Sequence, residues 1–414
     1  MFGEIVVRRL SGSIVRRRLR RHLVTIQGLE NLPASNAFVL APNHRSYFDH
    51  FVMELLVGAA VGRPVWFLTK QESFRSPLSR LWTKAWYGIP VDRDRPSPDT
   101  LRAVQQTFAR GEVLCVYPEG TRNPTFELLP FKTGAFRFAM TAAVPVIPVA
   151  MLGTDTVLAK GSRRFSASGR VHVVFGPPIL PDLARGKQRA AEAMSESTRV
   201  AISSLLTQAA VNAEAPDDAG LAVSGARAVD GLITAALDPD GRLSRRDEHR
   251  LGFVLSLIQH LEARPRDVAA QRARLRGLML LRRPTALRVL PALRVRSMLR
   301  NVLATDPHHA VANYLLGRWL LAMPSFLGGD RVAAEAAFEV SAANSEPSDT
   351  RALSGLAELQ LAAGRTDEAQ RTLRRIAAAP TLAGTRDAAR GLRAQRELER
   401  LADARPRALE DATR

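Results

Sequence analysis

The stretch Ala37-Phe38-Val39-Leu40-Ala41-Pro42-Asn43-His44-Arg45-Ser46-Tyr47-Phe48-Asp49 changes character twice. Its first six residues are an apolar run closed by proline, the pattern of a strand buried on both faces. From Phe48 to Gly62 the apolar positions recur with a helical period. A buried strand feeding a helix through a short polar turn is the repeating unit of α/β layers. The same alternation continues downstream. Val65–Thr69, Val113–Pro118, Val144–Met151 and Val171–Gly176 read as strands, and Pro77–Trp86, Ser97–Arg110 and Gly134–Ala143 as helices. The pattern predicts an α/β domain, a sheet covered by helices, closed by a helix from about Gly186 to Asn212.

Beyond it, Ala213–Gly220 holds Pro216, Asp217 and Asp218 and reads as a linker. Residues 221–400 are rich in Ala, Leu, Arg and Glu at helical spacing, which predicts an all-α second domain. The expected divisions are a basic membrane-proximal arm (1–30), the α/β domain (31–212), the linker (213–220), the helical domain (221–400) and a tail (401–414). Within about 306–380, Leu316, Gly317, Ala337, Phe338 and Pro347, then Leu356, Ala357, Gly364, Ala369, Leu373 and Pro380, repeat at about 34 residues once an insertion near Pro324–Gly329 is allowed. This region resembles a tetratricopeptide array, which implies either a protein partner or packing on a neighbour.

With 414 residues the chain exceeds what one core usually organises, and its 46% hydrophobic and 24% charged residues are an ordinary globular balance. The net charge of +19 is not ordinary. Residues 1–33 carry +5 and residues 264–300 carry +10, so two basic stretches sit on a nearly neutral body. Such stretches suit anionic partners. No zinc, RRM or helix-turn-helix pattern accompanies them, so nucleic acid is not expected and an anionic membrane surface is. For 264–300 a solvated helical face is the alternative. The single cysteine, Cys115, excludes an internal disulfide and reads as a small buried side chain. No run reaches the roughly 18 apolar residues of a spanning helix. The expected location is therefore peripheral, on the cytoplasmic face of a membrane.

Four short blocks carry chemistry. In the first, Asn43-His44-Arg45-Ser46-Tyr47-Phe48-Asp49, an imidazole can take a hydroxyl proton at neutral pH while a carboxylate steadies its other nitrogen. On a regular helix the two side chains would stand about 140° apart, so their pairing requires an irregular turn before the helix. The second is Gly88-Ile89-Pro90-Val91-Asp92-Arg93. The third, Tyr117-Pro118-Glu119-Gly120-Thr121-Arg122, brings a carboxylate, a flexible glycine and a guanidinium to one loop, a combination suited to phosphate oxygens. The fourth is the apolar strand Val144-Pro145-Val146-Ile147-Pro148-Val149.

In this order and at these intervals the blocks resemble the PlsC-type glycerolipid acyltransferase family over residues 23–180. The resemblance implies transfer of a fatty acyl chain from acyl-CoA or acyl carrier protein to a lysophospholipid hydroxyl, with 1-acylglycerol-3-phosphate the default acceptor and phosphatidic acid the product. It implies His44 as general base, Asp49 as its orienting partner, and Arg93, Glu119, Gly120, Thr121 and Arg122 as acceptor-binding residues. Lys132 matches a basic family position and fits either a phosphate contact or a solvated loop lysine. Tyr117 stands where the family usually has Phe. No cofactor and no metal are implied. Direct transfer is expected, since no Gly-x-Ser-x-Gly elbow is present. The oxyanion donors are not assignable from sequence. One alternative is a lipid-docking scaffold without catalysis whose helical repeats recruit a protein partner, disfavoured by the intact His44, Asp49, Glu119 and Arg122; the other is an acyltransferase for another lysolipid or a glycolipid acceptor.

Three further features carry less. Asp238–Ser244 with Asp247 is similar to a calcium loop, but Ala236 occupies a ligand position and Arg245-Arg246 adjoin it, so a helix-capping turn is expected. His308-His309 has no other metal-type residues nearby and reads as a solvated helix start. Trp82, Trp86 and Tyr87 fit a membrane interface or a core equally.

Overall fold

The computed structural model describes residues 2–33, 36–92, 97–123, 125, 127–162, 164–182, 184, 186–214, 219–238, 241–258, 265–282, 287–380 and 386–412. It divides into two compact units, Met1–Val268 and Ala269–Arg414.

The first unit runs α1 Phe2–His22, β1 Leu23–Gln27, β2 Phe38–Pro42, α2 Phe48–Val61, β3 Val65–Lys70, α3 Pro77–Ala85, β4 Gly88–Val91, α4 Pro98–Ala109 and β5 Val113–Cys115. It continues with α5 Gly134–Ala142, β6 Val146–Leu152, α6 Thr154–Val157, β7 Val171–Phe175, α7 Lys187–Glu214, α8 Ala219–Ala236 and α9 Arg245–Ile258. The seven strands form one sheet in the order β1-β7-β6-β2-β5-β3-β4, parallel throughout except between β6 and β7. All five β2 residues are buried, as its unbroken apolar run requires. Val39 and Ala41 join Leu114, Phe136, Met140, Val146 and Met194 in a core between the sheet and α4, α5 and α7. Alternation sends Phe38 and Leu40 to the opposite face. Because β2 lies between its parallel neighbours β5 and β6, the loops leaving the three strands share one edge of the sheet.

Two sequence expectations fail here. Residues 1–30, set apart from the α/β domain as a basic membrane-proximal arm, belong to the same unit: α1 buries Gly12, Val15, Leu19 and His22 along one side, and β1 pairs with β7 as an edge strand. The arginines obscured this pattern, since three of them lie over rings of the same unit, Arg8 over Tyr87, Arg18 over Phe165 and Arg20 over Phe253. Nor does the helical domain begin at residue 221. α8 packs on β1 and α9 on α2. Arg250 donates from Nη1 to the carbonyls of Ala59 and Ala60, and Arg246 donates to that of Gly62, so α9 supplies the C-terminal cap of α2. The centre of the expected linker, residues 215–218, lies outside the described residues, as do Pro239 and Asp240 of the calcium-like loop. The rest of that loop caps α9 through Ser244 Oγ, which accepts from Asp247 N at 3.0 Å. Trp86 is buried and Trp82 is 43% exposed.

The remaining helices are α10 Pro265–Leu280, α11 Val289–Thr305, α12 Ala310–Ala322, α13 Arg331–Asn344, α14 Arg351–Ala362, α15 Thr366–Ala377 and α16 Arg386–Ala412. From α11 onward each packs on the next in the chain. Phe338 of α13 wedges between Gly317 of α12 and Gly355 of α14, where a Cβ on either glycine would come within 2.7 Å of the ring. His309 starts α12, its Nδ1 accepting from Ala312 N at 3.2 Å, but it is buried, and only His308 is solvated.

Candidate active site

The turn between β2 and α2 begins with Asn43, whose buried amide exchanges two hydrogen bonds with the Met151 backbone of β6, at 2.9 and 2.7 Å. This fixes His44 at the sheet edge. α2 starts only at Phe48, so His44 to Tyr47 form the irregular turn that the His44–Asp49 pairing needs. The fully buried Asp49 accepts through a single oxygen, Oδ2, from His44 Nδ1 at 2.8 Å, Arg45 N at 2.8 Å and Ser46 N at 2.9 Å. An ionised carboxylate can only accept, so the Nδ1 proton points to Asp49 and Nε2 carries the free lone pair. The imidazole also stacks on the Tyr117 ring, with centroids 3.8 Å apart and planes 18° from parallel. Tyr117 in place of Phe leaves this platform intact, and burial pushes its phenol pKa well up. Burial likewise drives the Cys115 thiol up, which suits the packing role expected of it.

Glu119 enters from the loop after β5. Its Oε1 accepts from His44 N at 2.9 Å, and its Oε2 accepts from Asn123 Nδ2 at 2.7 Å and Leu129 N at 3.1 Å. The carboxylate is buried and occupied by protein donors on both oxygens, so the structure joins it to the His44 turn. Asn123 N closes the same link by donating to His44 O at 2.6 Å. Gly120 turns the loop with φ of +68°, and a Cβ there would sit 3.0 Å from Lys132 Cε. A side chain at Gly120 would meet both left-handed strain and the lysine stem.

Arg122 holds its guanidinium 3.6 Å above the Tyr47 ring. Its Nη1 is buried and, among the described residues, has no hydrogen-bond partner. Lys160 Nζ donates to Arg122 O at 3.2 Å, while Thr121 and Lys132 are exposed. The structure thus brings His44, Asp49, Glu119, Gly120, Arg122 and Lys132 to one edge of the sheet. Arg93 lies outside the described residues.

Residues that the sequence reading did not single out tie this edge together. The nearly buried Arg45 bridges Asp155 at 2.8 Å and Thr125 O at 2.9 Å, linking the loops after β5 and β6. Its partners stand 80 and 110 residues away, so no local pattern marks it. Among the described residues no group of three or more His, Cys, Asp or Glu side chains could hold a metal ion.

Residues 23–152 match a family model described as Acyltransferase. The 1-acyl-sn-glycerol-3-phosphate acyltransferase of Bacillus subtilis is 31% identical over 156 residues, 38% of this chain and 73% of the relative. The chloroplastic 1-acyl-sn-glycerol-3-phosphate acyltransferase of Brassica napus is 34% identical over 158 residues, covering 37% and 44%. The human 1-acyl-sn-glycerol-3-phosphate acyltransferase alpha is 33% identical over 160 residues, covering 38% and 54%. The chain thus spans about half or less of the length of the plant and human relatives. The crystal structure of a 1-acyl-sn-glycerophosphate acyltransferase from Thermotoga maritima aligns over 47% of this chain and 78% of that one at 24% identity, with a TM-score of 0.37 too low to carry an argument. Taken with the His44–Asp49 pair and the loop built around Glu119, the match to most of the Bacillus protein establishes that this chain belongs to the PlsC-type acyltransferase family.

Proposed function

We propose that this protein transfers a fatty acyl group from acyl-CoA or acyl carrier protein to the free hydroxyl of a lysophospholipid, with 1-acylglycerol-3-phosphate as acceptor and phosphatidic acid as product. The observation that carries the reading is the His44–Asp49 contact, which leaves Nε2 as the base. Nε2 takes the hydroxyl proton as the acceptor oxygen attacks the thioester carbonyl. The tetrahedral intermediate then expels the carrier thiolate, which the imidazolium reprotonates. Such base assistance is worth about 10² to 10⁴ in rate. Glu119 acts as a positioning residue that fixes the His44 backbone, a change from the acceptor contact implied by resemblance. Arg122, with Arg93 and Lys132, binds the acceptor phosphate, and the buried, unpartnered Nη1 supports this. Thr121 lines the same loop.

The acceptor's home supports an anionic membrane surface as partner. No helix among the described residues is long and apolar enough to cross a membrane. α1 instead exposes Phe2, Val6, Leu10 and Ile14 along one side, Phe2 to 84%. At about 100° per residue, Arg17, Arg20 and Arg21 follow on that side. Neighbouring α3 adds Leu78 and Trp82. This is the pattern of an interfacial helix with a basic collar. The helical unit is assigned recruitment of a protein partner through its repeat-like hairpins, with no part in acyl transfer.

A thioester-release assay on the purified full chain with a panel of lysolipids tests the function. Release that depends on 1-acylglycerol-3-phosphate supports it. Absence of release with every acceptor and both carriers points to a silent scaffold. Vesicle sedimentation tests docking: binding must rise with anionic lipid and fall with salt, and equal binding after Arg16–Arg21 are neutralised refutes it.

A further inference from the structure

The geometry points to Tyr47 as a specificity-determining residue that holds the Arg122 guanidinium in the orientation needed to grip a phosphate monoester. The inference rests on the reading of Arg122 as the acceptor-phosphate ligand and adds the element that aims it.

Tyr47 is the residue immediately before α2, within the turn that pairs His44 with Asp49. Its ring is 50% exposed, so it does not serve the core. One face of the ring lies against Arg122, with Cζ 3.6 Å from the centroid. At that distance a guanidinium rests flat on the ring, and the cation–π attraction fixes its plane while using none of its in-plane donors. Arg122 can offer them, because its Nη1 is buried without a partner among the described residues. A buried, unsatisfied donor is costly in a resting protein, and a ligand oxygen relieves that cost.

The surroundings select the ligand. Lys160 is drawn to the Arg122 carbonyl, and the Lys132 stem lies against Gly120, so two more cations flank the loop. A planar fork between ammonium groups matches an anion that offers two terminal oxygens to the fork, a third to the ammonium groups and more than one charge, which describes a terminal phosphate monoester better than a phosphodiester. The same turn carries His44, so one short segment sets both the base and the plane of the anion clamp. Tyr47 thereby links acceptor choice to catalytic position without touching the reacting atoms.

The experiment measures acceptor kinetics of the full chain with 1-acylglycerol-3-phosphate and with the corresponding monoacylglycerol. Tyr47→Ala should raise the KM for the phosphorylated acceptor about tenfold, the loss of one well-formed cation–π contact, a larger change than any in kcat or in the KM for monoacylglycerol. Tyr47→Phe should restore the KM, since stacking needs the ring and not the hydroxyl. Arg122→Lys should fail even with Tyr47 present, because an ammonium has no plane to align. In the Arg122→Ala background, Tyr47→Ala should have no further effect on KM. The proposal is overturned if Tyr47→Ala lowers kcat at constant KM, which would mean that it disturbs the His44 turn. It is also overturned if Tyr47→Phe is as impaired as Tyr47→Ala. If Arg122→Ala itself leaves the acceptor KM unchanged, the phosphate-ligand reading falls first, a result distinct from a Tyr47 failure.

Discussion

The sheet unit and the helical unit bury polar residues in different ways. At the edge of the sheet, Asn43, Arg45, Asp49, Glu119 and Asn123 are all buried and bonded into one connected set spanning the loops after β2, β5 and β6. In the helical unit the buried polar groups named next each fasten one helix to another. Thr350 takes part in a capping cluster with Asp387 and Arg390, and Thr372 donates to Gln360. Helices that pack in chain order need their polar residues only to fasten one helix to another. A set of loops needs them to hold one geometry against the freedom of three separate segments, and that rigidity positions a base and an anion site.

The sharpest break in the comparison is the base itself. His44→Ala should lower turnover by about 10² to 10⁴ with an unchanged circular dichroism spectrum, and near-normal turnover would remove the catalytic assignment. Phe338→Ala should do the converse. Emptying the wedge between Gly317 and Gly355 should destabilise the helical unit by about 3–5 kcal/mol in calorimetry, while acyl transfer by the intact sheet unit persists. Next comes Glu119→Gln, which replaces an oxygen accepting from protein donors with an amide that must donate. A loss of about 1.5–3 kcal/mol, the range for charge-assisted bonds, should fall on kcat and on thermal stability together. If only the acceptor KM changes, Glu119 contacts substrate after all.

A smaller effect separates the units by pH. On α2, His50 stacks on Phe67 and its Nε2 lies 2.9 Å from Trp86 O, and burial lowers its pKa from 6.5 to about 4. The unfolded chain then binds the extra proton, so stability falls as pH drops from about 6.5 to about 4, by about 1.4 kcal/mol per pH unit. Burial raises Glu54 from 4.5 to about 8, so its contribution falls as pH rises across that range. Burial lowers His172 of β7 from 6.5 to about 4 as well, so between about 4.5 and 6.5 two histidine slopes oppose the one from Glu54 and stability still falls toward acid. Urea unfolding across pH should show it, and His50→Gln should flatten the acid limb. The smallest effect expected is that of a chain ending at Ile258, which keeps α8 and α9 and should retain activity on soluble short-chain substrates. A chain ending at Asn212 should lose stability, because it strips the cap from α2 and the cover from β1. Equal behaviour of the two would restore the boundary read from sequence.

By itself the sequence determined the local elements and the chemistry on them. Apolar runs of period two and helices of period 3.6 are short-range patterns, so the strands Ala37–Pro42, Val65–Thr69 and Val171–Gly176 were legible, as was the alternation that makes an α/β layer. The site was legible where its residues fall within one turn, as His44 and Asp49 do. Tertiary structure decided everything that joins distant segments. It drew α1 and β1 into the sheet unit, although the arginines of α1 resemble a solvated arm, because α1 packs on α2, α3 and α9, His22 meets Gly169 O and β1 pairs with β7. It extended that unit through α8 and α9, because Arg250 meets the end of α2 across 190 residues. It also gave Glu119 to the backbone of His44 and Arg122 to the ring of Tyr47. Hydrogen bonds and ring contacts between loops depend on where strands lie in the sheet, and the order β6-β2-β5 is a property of the folded chain that no window of sequence contains.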